Sequence, residues 1–175
     1  MKTRHGFPKL LTALGCRTGV EVGTYQGDFA AYLLTHWDGH LTVVDPWVRQ
    51  DGWADLLNHD DQTWTVVEQR AREQLAPFGE RVTVVKGTSQ TAAVDTGPVD
   101  FVYLDARHDR PWIDEDLRLW DAKATRIIAG HDFLHGMRNE TLFEVKPAVL
   151  EWAKERGYTV ETTTHDPYPS WWVVK

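Results

Sequence analysis

Two short stretches of this chain concentrate side chains that can move a proton: Asp105-Ala106-Arg107-His108-Asp109 and His131-Asp132. An imidazole titrates near neutral pH, so His108 or His131 can accept a proton from a hydroxyl, with Asp132 beside them as a partner. A divalent cation offers another route, because it lowers the pKa of a hydroxyl bound to it. Each residue also has a structural reading. His108 can cap a following helix, and His131 can be a satisfied polar group at a strand end. Arg107 can pair with Asp109 or meet an acidic ligand, and the sequence leaves that open.

A second group of residues concerns binding. Glu21-Val22-Gly23-Thr24-Tyr25-Gln26-Gly27 is a glycine-rich turn, but it lacks the GxGxxG spacing that seats a pyrophosphate and no P-loop lysine follows. Gly23 and Gly27 still let backbone approach a ligand closely. Asp45 can accept hydrogen bonds from both hydroxyls of a ribose. A carboxylate does the same for NAD, so Asp45 by itself indicates an adenosine-like ligand. The missing phosphate cradle favours a nucleoside that carries no phosphate.

The elements that position these residues follow from apolar periodicity. Runs at 19–23, 41–45, 81–85, 99–105 and 126–129 read as strands. Helices are expected over 28–37, 61–76, from 89 to about 94, from Pro111 with Asp109 as its cap, and over 143–156 up to Gly157. Residues 158–164 and 171–174 flank a turn and read as a hairpin. Alternating strands and helices predict an α/β fold, a doubly wound and mostly parallel sheet with one antiparallel C-terminal strand. In such sheets ligands bind beyond the carboxyl ends of the strands, where all the residues above fall. The connection from Asp45 to Asp60 is long and carries Trp47, Trp53, Leu56 and Leu57. It reads either as a lid beside the ligand or as a short packed helix. Gly136 to Thr141 is a second flexible segment.

At 175 residues the chain fits a single domain spanning 1–175. One cysteine, Cys16, excludes an internal disulfide framework. No apolar run reaches membrane-spanning length and the opening residues do not read as a secretion signal, so a cytoplasmic protein is expected. A net charge of -7 argues against sequence-independent nucleic-acid binding. Nine tryptophans could supply apolar contacts for a homodimer.

The turn Glu21-x-Gly23-xxx-Gly27, an aspartate ending strand two and a final antiparallel strand resemble the class I S-adenosylmethionine-dependent methyltransferases. Val44-Asp45-Pro46-Trp47, Val99 to Asp109, Ile128-Ala129-Gly130-His131-Asp132-Phe133, Phe143-Glu144-Val145-Lys146 and Trp171 or Trp172 narrow the resemblance to the family-24-type small methyltransferases. It runs from about Gly19 to the end of the chain.

The resemblance implies a Rossmann-like sheet of order 3-2-1-4-5-7-6 and S-adenosylmethionine as cofactor. It implies that Glu21, Gly23, Thr24, Tyr25 and Gly27 surround the methionine part. Asp45, with Pro46 and Trp47, would hold the ribose, Thr88 and Ser89 the adenine, and Asp105 the amino group or the reaction centre. Metal-dependent O-methyltransferases of related fold have an aspartate after strand four and an acidic or amide pair after strand five. Asp105, His131 and Asp132 stand at those places. His131 departs from the pattern, because magnesium prefers all-oxygen shells whereas manganese, iron or zinc tolerate an imidazole. The expected activity is methyl transfer to an oxygen of a small-molecule acceptor. A cofactor-binding module without turnover and an NAD-dependent oxidoreductase remain as alternatives.

Overall fold

The computed structural model describes residues 1–175. Its chain order begins with a 3₁₀ turn, Arg4–Gly6, and helix α1, Phe7–Ala13. Then come β1 (Thr18–Val22), α2 (Asp28–His36), β2 (His40–Asp45), α3 (Asp61–Leu75), β3 (Val82–Lys86) and α4 (Ser89–Asp95). The second half holds β4 (Val99–Leu104), α5 (Trp112–Asp121), β5 (Ala124–Gly130), β6 (Gly136–Arg138), β7 (Thr141–Phe143), α6 (Val145–Arg156), β8 (Glu161–Thr162) and β9 (Trp171–Val174). No helix is long and apolar enough to cross a membrane.

The main sheet runs β3-β2-β1-β4-β5-β9-β8. Pairings among the first five strands are parallel, and β9 is antiparallel to β5, with Gly130 opposite Trp171. Setting aside the separate hairpin β6–β7, this is the order 3-2-1-4-5-7-6. The strand order reverses between β1 and β4, so their carboxyl ends splay around a crevice.

Both faces of the sheet are covered. Val102, Leu104 and Ile128 face α4, α5 and α6, whereas Phe101, Tyr103 and Ile127 face α1 and α2. Alternate residues of one strand point to opposite sides, so a central strand must be apolar throughout. Trp171 and Trp172 obey the same rule, one buried in each face.

Four local expectations change. Phe143 belongs to β7, and α6 begins at Val145. Asp109 does not cap α5 with its side chain, which Arg107 occupies. Segment 46–60 contains turns and no helix, which removes the packed-helix reading. Segment 136–141 forms a hairpin whose turn residues, Asn139 and Glu140, both have positive φ (48° and 67°).

Candidate functional site

A cavity of about 580 Å³ opens at the carboxyl ends of β1, β2, β4 and β5. Glu21, Gly23, Thr24, Tyr25, Asp45, Pro46, Thr88, Ser89, Asp105, His108, His131 and Asp132 all line it. Of the residues singled out in the sequence, Gly27 and Trp47 do not. Gly27 has φ +86° and begins α2, packed against Ala71 and Leu75. Trp47 is buried in a cluster with Trp64, Val67 and Ala71, and its indole N–H donates to the Tyr25 carbonyl at 2.8 Å. Both shape the cavity from behind, because a left-handed turn and a packed ring were needed there.

At the first strand end, Gly23 (φ +87°) lets the turn pass against β4. A Cβ at that position would lie 2.1 Å from the Asp105 carbonyl oxygen. Thr24 Oγ1 donates to Glu21 Oε2 at 2.9 Å. Glu21 is buried, and burial pushes its pKa up to about 8, with the Asp105 and Asp45 carboxylates adding to the rise. Asp45 accepts backbone N–H groups on both oxygens, from Tyr25 at 2.9 Å and Trp47 at 2.8 Å. Tyr25 and Trp47 have positive φ (51° and 41°), a strained backbone held where it fixes this carboxylate. Burial raises Asp45 to about 6 against those two donors. Each oxygen retains acceptor capacity towards the cavity.

Thr88 caps α4 by accepting the Thr91 N–H at 3.3 Å. Ser89 donates to Asp116 and accepts from the Trp120 indole at 2.8 Å. The two residues thus do structural work while lining the cavity. Asp116, buried on α5, was not anticipated, since an isolated aspartate in an acidic run carries no signal.

Next to the Gly23 turn, after β4 and β5, Asp105, His131 and Asp132 offer ligand atoms that all lie within 4.8 Å of one another. His131 Nδ1 is 3.2 Å from Asp132 Oδ1 and 3.6 Å from Asp105 Oδ1. The other oxygen of each carboxylate faces a different cation: Asp132 Oδ2 is 2.9 Å from His108 Nε2, and Asp105 Oδ2 is 3.3 Å from Arg4 Nη1. His108 Nδ1 faces Asp55 at 3.5 Å, and its ring stacks on Phe143 at 4.9 Å. Burial opposes a charge on His108, but the carboxylates of Asp132 and Asp55 outweigh it and raise the imidazole to about 10. Burial likewise opposes a charge on His131, while Asp105 and Asp132 raise it. Asp132 is held well below the usual carboxylate range, its burial outweighed by hydrogen bonds to both imidazoles.

Asp55 and Arg4 were missed by sequence reasoning. Asp55 lies in a connection with no periodicity, and Arg4 precedes the first strand by fourteen residues with no motif around it. Arg107 pairs bidentately with Asp109 (2.9 and 2.6 Å) between the rings of Trp53 and Trp112. That settles its partner. Trp53 stands in segment 46–60, which closes over the cavity through this stack and through Asp55.

The arrangement is a pocket lined by buried carboxylates, with an imidazole flanked by two of them. A methyltransferase domain family matches residues 20–133. No curated protein matches the chain in sequence at a significant level. Solved structures share the fold: the O-methyltransferase from Bacillus cereus in complex with SAH (S-adenosylhomocysteine; 15% identity, TM-score 0.68) covers 98% of this chain and 80% of its own. The O-methyltransferase TomG from Streptomyces achromogenes, involved in tomaymycin synthesis and bound to SAM (S-adenosylmethionine), has 16% identity, TM-score 0.67 and coverages of 98% and 78%. A protein assigned as an rRNA-methylase from Clostridium thermocellum has 17% identity, TM-score 0.66 and coverages of 100% and 98%. The family match spans most of the chain and includes the four strand ends that build the pocket; the chain belongs to the methyltransferase domain family and has the class I S-adenosylmethionine-dependent methyltransferase fold.

Proposed function

We propose that the chain transfers the methyl group of S-adenosylmethionine to an oxygen of a small-molecule acceptor. The observation that carries this reading is one cavity lined by buried Glu21 and Asp45 and by His131, whose Nδ1 faces both Asp105 and Asp132. Asp45, rigidly oriented by two backbone N–H groups, suits the vicinal hydroxyls of a ribose. Glu21 and Asp105 suit an ammonium group. When bound, the cofactor supplies an electrophilic methyl carbon on a sulfonium. The residues of this chain then hold the acceptor in line, exclude water and take its proton.

His131 is the better base. Its Nδ1 faces the two carboxylates, which leaves Nε2 free to receive the acceptor's proton. His108 is a poor base, because both of its ring nitrogens face carboxylates and it stays cationic at neutral pH. Its role is to hold Asp132 and segment 46–60 in place. Trp53, Phe143 and Tyr168 line the same cavity and give the acceptor side an aromatic wall.

The cluster of Asp105, His131 and Asp132 favours one other reading, in which these three hold a divalent cation that activates the acceptor hydroxyl. Two oxygens and one nitrogen fit manganese, iron or zinc better than magnesium. Calorimetry on metal-stripped protein separates the readings. S-adenosylhomocysteine is expected to bind while NAD does not, and Asp45→Asn to weaken it at least tenfold. NAD binding alone would refute the methyltransferase reading. A gain of acceptor turnover with manganese, lost in Asp132→Asn, would assign the cluster to a metal.

A further inference from the structure

Amino-acid ligands are zwitterions, and a pocket that buries one must answer both charges. Two buried acidic side chains close to each other, Glu21 and Asp105, line the cavity and can face a ligand ammonium, with Arg4 beside Asp105. A bound ammonium favours their ionised forms despite burial, and the ligand carboxylate beside it would then meet like charge unless a cation is also present. Three of the cationic candidates lining the cavity are disqualified. Arg107 is bound bidentately by Asp109. His108 stands between Asp55 and Asp132. Arg138 is exposed on the β6–β7 hairpin, on the acceptor side with Phe143 and Tyr168.

Arg4 differs from all three. Its guanidinium lies 4.9 Å above the Phe29 ring and makes one long ion pair, 3.3 Å from Asp105 Oδ2, although it has five N–H donors. Its charge is felt at Glu21 as well, where it holds the carboxyl pKa down against burial. The backbone that carries it is fixed. The Arg4 N–H donates to Asp166 Oδ2 at 2.9 Å, the Lys2 carbonyl accepts from Thr164 and His165, and the next helix is anchored by buried Phe7. An arginine so placed presents a planar fork that matches a carboxylate in two hydrogen bonds.

We infer that Arg4 binds the α-carboxylate of the cofactor's amino-acid end, opposite the ammonium held by Glu21 and Asp105. This makes the Met1–Gly6 segment a wall of the cofactor site, and it rests on the cofactor reading given above.

Three ligands test it by calorimetry without an acceptor: S-adenosylhomocysteine, its decarboxylated amine analogue, and 5′-methylthioadenosine, which lacks the whole amino-acid end. The unaltered chain is expected to bind S-adenosylhomocysteine about 10- to 100-fold more tightly than the decarboxylated analogue, the range of a charge-assisted hydrogen-bond pair. Arg4→Gln is expected to remove that preference and to leave 5′-methylthioadenosine within about twofold. Arg4→Lys is expected to restore part of it. Equal weakening of all three ligands in Arg4→Gln would show a merely structural role and overturn the assignment, as would an unchanged preference. If the unaltered chain binds none of the three, the cofactor reading itself falls and takes this assignment with it. Thermal melting of each variant identifies a general loss of fold.

Discussion

His108 and His131 share Asp132 but meet it differently, and the difference decides what each can do. His108 has Nε2 2.9 Å from Asp132 and Nδ1 facing Asp55 at 3.5 Å. His131 has one side committed and one open. His131→Ala is therefore expected to lower kcat by about 10²- to 10⁴-fold, the range for a lost general base, with S-adenosylhomocysteine affinity unchanged. His108→Gln is expected to act mainly through acceptor KM, because it loosens segment 46–60; steady-state kinetics on both variants checks this. Asp116 gives a test of stability against pH. Its carboxyl ionises near 3.8 in an unfolded chain, but burial pushes it up to about 7 in the fold, although Ser89 donates to it. The folded state therefore binds this proton more tightly, and its contribution is complete below pH 3.8 and is lost as pH rises towards 7. Asn keeps an acceptor for Ser89 and never ionises. Asp116→Asn is expected to gain stability over the unaltered chain progressively between pH 4 and 7.5, by up to about 4 kcal/mol, and to stay level above that. Urea unfolding at pH 4.5, 6 and 8 measures it.

Segment 46–60 acts as an element although it has no regular structure. Asn58 ties it internally to the Gln50 and Trp53 backbone, and Trp53 and Asp55 tie it to Arg107 and His108. Trp53→Ala is expected to raise acceptor KM about tenfold, to leave cofactor affinity within twofold, and to expose residues 50–58 to limited proteolysis. An unchanged KM would remove the segment from the acceptor site. The Gly23 turn is less forgiving. Gly23→Ala combines a positive φ with a clash against the Asp105 carbonyl, and β1 and β4 cannot separate without breaking the sheet. It is expected to destabilise the fold by several kcal/mol, visible as a large drop in Tm. The periodic elements were legible in the sequence because β1 to β5 and their helices bury regular faces. The hairpin β6–β7 was not, since its strands have three residues each and its turn has Asn139-Glu140, not the Asn-Gly pair that usually marks two positive φ angles.

For the whole molecule, seven of the nine tryptophans are buried, one or more on each face of the sheet and others under the ligand turn. The count that suggested an apolar contact between copies is accounted for by the core, with Trp112 the exposed member. The strand-end residues of the cavity were readable because the carboxyl ends of parallel strands converge by topology. Arg4 was not, because its position depends on a contact with Asp166, 162 residues away, that no local pattern encodes. Tethering residues 2–4 to residues 164–166 links ligand binding to the chain's far end. Arg4 also meets Phe29 and Asp105, but its backbone N–H and the Lys2 carbonyl are paired only with the turn that precedes β9. If Arg4 grips the ligand, a bound nucleoside with its amino-acid end intact should slow hydrogen exchange at the Thr164 and His165 amides, which donate to the Lys2 carbonyl.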